Sequence, residues 1–88
     1  MDIKYSPAFL RALKKLPPGL TEEAKEKIRL FKDENNHQAL KVHKLGGRLK
    51  GQYSYSVNYK TRIVFYYISK KDKKVLFTAI GDHDIYKN

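Results

Sequence analysis

Histidines at 37, 43 and 83, an arginine at 62 and a tyrosine at 86 are the side chains of this 88-residue sequence best suited to chemistry. His43, Arg62 and His83 suit cleavage of an RNA phosphodiester without a metal. In that reaction the ribose 2′-OH attacks the adjacent phosphorus and the 5′-oxygen leaves. A base, an acid and a cation for the developing charge are needed. Imidazole serves as base or acid near neutral pH. Guanidinium supplies a permanent charge on a planar fork that matches phosphate oxygens. On spacing alone, these three residues are equally compatible with solvated surface positions, and Tyr86 with a ring covering the end of a sheet. Other chemistries lack their parts. With no cysteine, disulfides, thiolate zinc sites and a Cys nucleophile are excluded, which suits a reducing cytoplasm. Gly-rich phosphate loops, a nucleophile elbow and paired carboxylates are missing. Asp82 and Asp84 flank His83, but three consecutive side chains do not converge on an extended backbone, and no histidine pair has helical ligand spacing. No metal or other cofactor is expected.

Charge points to the partner. The chain carries 19 Lys and Arg against 9 Asp and Glu, a net +10. Residues 1–36 hold 8 basic and 6 acidic side chains, whereas residues 37–88 hold 11 and 3. No acid falls between Glu34 and Asp72, a stretch containing Lys41, Lys44, Arg48, Lys50, Lys60, Arg62, Lys70 and Lys71. A solvated lysine surface is one reading. The other is a nucleic-acid surface, because Tyr53, Tyr55, Tyr59, Tyr66 and Tyr67 are interleaved with these cations. Lys and Arg release counterions from phosphates, and aromatic faces stack on unpaired bases.

The elements that must position these residues form one domain over 1–88, too short for two cores. The longest apolar run, residues 63–68, is far below the ~20 residues of a membrane-spanning helix, so no membrane partner is expected. Asp2 to Tyr5 alternates like a short edge strand. Ser6-Pro7 reads as an N-cap with proline at the first helical position, and Phe9, Leu10, Leu13 and Leu16 have helical spacing up to the stop at Pro17-Pro18-Gly19. Thr21 is expected to cap a second helix, with Leu20, Ala24, Ile28 and Phe31 buried, a Glu23–Lys27 pair outside and Asn35-Asn36 as its end. Residues 37–51 are irregular, with a turn at Gly46-Gly47. Residues 53–59 alternate tyrosine or valine with Ser54, Ser56 and Asn58, a strand with one polar face. Thr61 to Ile68 is apolar on both faces, as a doubly covered central strand would be. A charged hairpin loop then leads into a last strand from Lys74 to Ile80. The expected architecture is α+β, in the order β-α-α-β-β-β, with a helical hairpin on a small antiparallel sheet.

Local strings in this order carry a resemblance: His43-Lys44-Leu45, Leu49-Lys50-Gly51, residues 53–57 (YSYSV), residues 61–65 (TRIVF) and residues 80–86 (IGDHDIY). Together they resemble the RelE/ParE toxin superfamily, in particular the RelE/StbE and YafQ-like branch of ribosome-dependent mRNA interferases. The resemblance covers nearly the whole chain. It implies a RelE-like fold and a toxin that cuts mRNA in the ribosomal A site without metal and is held inactive by a cognate antitoxin. It implies His43 as a base, Arg62 on the scissile phosphate, His83 as acid or transition-state partner and Tyr86 as the aromatic that orients substrate. Lys41, Lys44, Arg48, Lys50 and Lys60 are then the residues that dock the ribosome and its RNA. Ser54, Tyr55 and Ser56 stand where some relatives carry basic residues, and His83 where some carry arginine, which favours a histidine-based variant. Which histidine is base and which is acid stays open. The alternatives are a ParE-like DNA gyrase inhibitor and an inactive homologue that only binds antitoxin.

Overall fold

The computed structural model describes residues 1–86, the side chain of His83 apart. Strand β1 (Asp2–Tyr5) leads into helices α1 (Pro7–Lys15) and α2 (Pro18–Phe31). Strands β2 (His43–Lys44), β3 (Tyr53–Ser56), β4 (Arg62–Ser69) and β5 (Lys74–Gly81) follow, and a single 3-10 turn spans His83–Tyr86. The α+β architecture is the expected one, with two refinements. The sheet order is β1-β5-β4-β3-β2, with β1 parallel to β5 and the other pairs antiparallel, so the sheet is mixed. The helical hairpin between β1 and the later strands is long enough to carry the chain across the sheet, which a parallel neighbour requires. The fifth strand, β2, is two residues taken from the stretch expected to be irregular.

Ser6 caps α1 as its sequence suggests, with its hydroxyl accepting the Phe9 N–H at 3.0 Å and Pro7 next in line. The start of α2 differs from expectation. It begins at Pro18, which has no N–H to satisfy, so Thr21 lies inside the first turn. The Thr21 hydroxyl instead lies 3.2 and 3.3 Å from the Pro17 and Leu16 carbonyls, in the corner between α1 and α2. Glu23 also departs from the expected Lys27 pairing, accepting the Asn58 amide at 3.1 Å and so tying α2 to the β3–β4 turn.

Helices and sheet meet in a core of Phe9, Ala24, Ile28, Phe31, Tyr55, Ile63, Phe65, Val75 and Phe77. Leu10, grouped with Phe9, Leu13 and Leu16 by its helical spacing, is exposed. Phe31 sits at the centre. Its ring stacks on His37 and Tyr55 at 4.4 and 4.8 Å and meets Phe65 and Phe77 edge-on at 4.9 and 5.3 Å. His37 also donates through Nε2 to the Phe31 carbonyl at 2.8 Å, which makes it a structural residue at the end of α2. The other face of the sheet is only partly covered. Val64 and Ser54 are buried there, but Tyr66 and Ile68 are exposed, Ile68 by 52%. The doubly covered strand expected over 61–68 is covered on its outer face only at the end over which residues 82–86 fold.

One core atom stands out. The Tyr55 hydroxyl is fully buried without a hydrogen-bond partner among the described residues, and burial pushes its phenol far above the ordinary value. An unpaired buried polar group costs about 1–3 kcal/mol. Tyr55→Phe keeps the stacked ring and removes the orphan. It should raise unfolding free energy by about 1 kcal/mol in a denaturant titration, whereas Phe31→Ala should lower it by about 3–5 kcal/mol. A less stable Tyr55→Phe would show that the hydroxyl does find a partner.

Candidate functional site

Cross-strand partners share a face of a sheet. One row runs Gly81–Arg62–Ser56, and the next runs Ala79–Val64–Ser54–His43. Since Tyr55, Ile63, Phe65 and Phe77 point into the core, Arg62, Ser56, Ser54 and His43 belong to the outer face, opposite the helices. Arg62 and His43 are two strands and one row apart. Ordinary sheet spacings put their Cα atoms roughly 12 Å from each other. Both long side chains can thus reach one group lying over β3.

Arg62 is held from below by a tight turn. Its Nη1 donates to the Asn58 carbonyl and, at 3.2 Å, to the Thr61 carbonyl. Asn58 builds that turn, with Oδ1 accepting the Lys60 and Thr61 N–H groups, both at 2.8 Å. Carbonyls orient a guanidinium without neutralising it, and among the described residues no carboxylate pairs with Arg62. The positive charge is therefore available to an anion.

His43 is oriented by its own backbone. The Lys41 carbonyl lies 2.8 Å from Nδ1. A carbonyl only accepts, so this contact assigns the proton to Nδ1 and leaves Nε2 as the acceptor of the neutral ring. Lys41 reaches this position with φ of 63°, in the left-handed region that L side chains rarely adopt. The ring is exposed.

The tail completes the face. At Gly81 the chain reverses so closely that a Cβ would stand 2.8 Å from a methyl of Ile85. The turn that follows brings the Tyr86 hydroxyl to 2.6 Å from the Ser54 hydroxyl, in the middle of the His43–Val64 row. The structure thus gathers His43, Arg62 and Tyr86 on one face. The backbone of His83 lies in the same tail, and its side chain is outside the described residues. The basic residues do not form one patch. Lys41 precedes His43 and Lys60 precedes Arg62 in the turn, while Arg48 sits on the short 3-10 helix Gly47–Leu49. Lys44 and Lys50 instead line a cavity of about 370 Å³ with Tyr53, Tyr67 and Lys70. That cavity is on the helix-bearing face, because Lys44 shares its row with Tyr53, Phe65 and Phe77.

Sequence reasoning missed Ser54, Asn58 and the Lys70 groove. Asn58 carries a usable signal, since asparagine between a strand and an arginine is a turn former that bonds its own following N–H groups. Ser54 carries none, being one of several serines on an alternating strand. Among the described residues no three His, Asp or Glu side chains converge on a point. Nor is any described helix long and apolar enough to cross a membrane.

No protein-family model matches the chain, and no curated protein matches it significantly. Solved structures do. YafQ from E. coli strain BL21(DE3) is 22% identical over 99% of this chain and 98% of its own, with a TM-score of 0.72. The archaeal RelE–RelB complex from Pyrococcus horikoshii OT3 gives 20% identity over 92% of both chains and a TM-score of 0.71. The toxin–antitoxin complex RelBE2 from Mycobacterium tuberculosis gives 16% identity over 93% of this chain and 96% of the other, with a TM-score of 0.68. The chain thus shares the fold of these solved structures.

The Ser54–Tyr86 contact makes a direct forecast. Tyr86→Phe keeps the ring but leaves the buried Ser54 hydroxyl unpaired, at a cost of about 1–2 kcal/mol. Hydrogen exchange should quicken at Ile85, whose N–H donates to the Asp82 carbonyl at 3.1 Å, while β4 and β5 stay protected. Unchanged protection at Ile85 would mean that Ile85 packing alone secures the tail.

Proposed function

We propose that this chain is the toxin of a type II toxin–antitoxin pair and an endoribonuclease that cuts mRNA on the ribosome. One observation supports the reading: Arg62, oriented by carbonyls and unpaired with any described carboxylate, shares the outer face of the sheet with the Nε2 of His43. Shared fold with solved toxin–antitoxin complexes supports the same reading. A scissile phosphate over β3 would meet the Arg62 fork. The 2′-OH then attacks phosphorus. Its proton passes to His43 Nε2, the O2′–P bond forms and the P–O5′ bond breaks. Products are a 2′,3′-cyclic phosphate and a 5′-hydroxyl, the latter protonated by His83 acting as acid. Arg62 lowers the barrier by holding charge that is greatest at the pentacoordinate stage. Tyr86 positions the nucleotide from the tail side.

The ribosome supplies what an 88-residue domain lacks. Holding a flexible mRNA in reactive geometry can contribute about 7–11 kcal/mol of barrier lowering. Purified protein should cut translating mRNA far faster than the same RNA alone. The partner is an antitoxin with acidic contact residues, matched to the charge of residues 37–88. Its binding should weaken as salt rises.

Induced expression with mapping of new mRNA 5′ ends tests the reading. The parent protein should produce discrete cuts within coding sequences. Arg62→Ala, His43→Ala and His83→Ala should each lower cutting by roughly 10²–10⁴ while circular dichroism stays native, since a positioned acid or base contributes that much. No new ends from the parent protein would overturn the reading. Inhibition of DNA supercoiling in the same cells would then favour a gyrase inhibitor.

A further inference from the structure

The cavity on the helix-bearing face has a floor and one sign of charge. Tyr53 and Tyr67 form the floor, with ring centroids 5.1 Å apart at 86°. Lys44, Lys50 and Lys70 line the cavity with Leu45, and among the described residues no carboxylate does. A second cavity of about 250 Å³ continues from the same two rings and Lys70 towards Glu34 and Lys73. Glu34 does not balance the lysines, because it is already bonded to Lys73 at 2.7 Å.

The ring faces decide what can bind. One face of Tyr53 stacks on Phe65 at 5.5 Å and 19°. The Lys70 ammonium lies over Tyr53 and Tyr67 at 5.6 and 5.7 Å from their centroids. A nucleobase would have to expel Lys70 from the rings to stack. A carboxylate meets the same ammonium where it stands and leaves the cation–π contacts intact. The neighbouring Tyr53 hydroxyl raises the Lys70 pKa and keeps its ammonium charged. Leu45 and the ring edges add an apolar surface that suits an aliphatic side chain.

We propose that this groove is a docking site for an extended acidic segment of a protein partner, with carboxylates on Lys44, Lys50 and Lys70 and an aliphatic side chain against Leu45, Tyr53 and Tyr67. It deepens the partner reading above and is independent of RNA cleavage. Its consequence is spatial. His43 and Lys44 are adjacent on β2 and belong to opposite faces, so a segment seated in the groove leaves the Arg62 face open. Anchoring a partner and masking the phosphate site are then separate events, carried by different parts of that partner.

The test titrates the isotope-labelled full chain with acetyl-Glu-Leu-Glu-Leu-Glu-amide and follows amide and tyrosine ring shifts by NMR. Saturable shifts should appear at Tyr53, Tyr67 and Lys70 and not at Arg62. Lys70→Glu should weaken binding about tenfold or more. Lys14→Glu, the same charge change on exposed α1 surface, should alter it less than threefold, as should Arg62→Ala. Absence of saturable groove shifts overturns the proposal. So does an equal response to Lys14→Glu and Lys70→Glu, which would mean attraction to net charge alone. Groove shifts with AMP but not with the peptide would overturn it in favour of a nucleotide. Because nothing here reads cleavage, failure leaves the ribonuclease reading standing, and a chain that cuts no RNA can still pass.

Discussion

Everything on the outer face depends on the rings packed around Phe31 on the inner one. The last residue of α2 touches His37, Tyr55, Phe65 and Phe77 at once, so it joins the helical hairpin to three strands and to the segment that follows it. A shift of one residue in any of these strands would turn its rings away from Phe31 and flip every side chain to the opposite face. Register is therefore set by aromatic burial. The polar residues on the opposite face inherit their positions: Ser54 and Ser56 beside Tyr55, Arg62 beside Ile63. His37 extends the effect along the chain. By stacking on Phe31 it fixes the start of the 37–42 segment, and the Val42 N–H returns to the His37 carbonyl at 3.0 Å, so the Lys41 carbonyl is held where it can orient His43.

The two faces then present different chemistry. On the outer face the groups are few and held by carbonyls, hydroxyls and a reversed tail, as the proposed cleavage would require. On the inner face beyond the helices, lysines surround aromatic rings in an open groove, a surface that takes charge and apolar contact together. Strand β2 joins the two, with His43 on one side and Lys44 on the other. Separation by a sheet explains why the lysine-lined groove and the His43–Arg62 face do not meet.

Much of this was legible in the chain. The Ser6-Pro7 cap, the buried stripe of α2 and the strands at 62–69 and 74–81 follow from local spacing, because burial of a periodic face dominates their energetics. What failed was non-local. Periodicity says which way a residue faces and not which strand lies beside it, so the parallel β1–β5 pairing was invisible. The Glu23–Lys27 pair was outweighed by a tertiary contact to Asn58, as expected of a helix pair worth only a few tenths of a kcal/mol. Ser54 looked like surface because its cover, Tyr86, comes from 32 residues away. The sequence nominated residues 43, 62 and 86, and their common face came only from the strand register and the Ser54–Tyr86 contact.

The most direct measurement of the central claim is cleavage of a ribosome-bound mRNA carrying a single 2′-deoxynucleotide at the mapped cut. If the His43–Arg62 face drives attack by the neighbouring 2′-oxygen, cutting at that bond should stop, while an otherwise identical all-ribose message is cut to a 2′,3′-cyclic phosphate and a 5′-hydroxyl. Equal cutting of the deoxy-substituted message would contradict the account, because the nucleophile would then come from elsewhere.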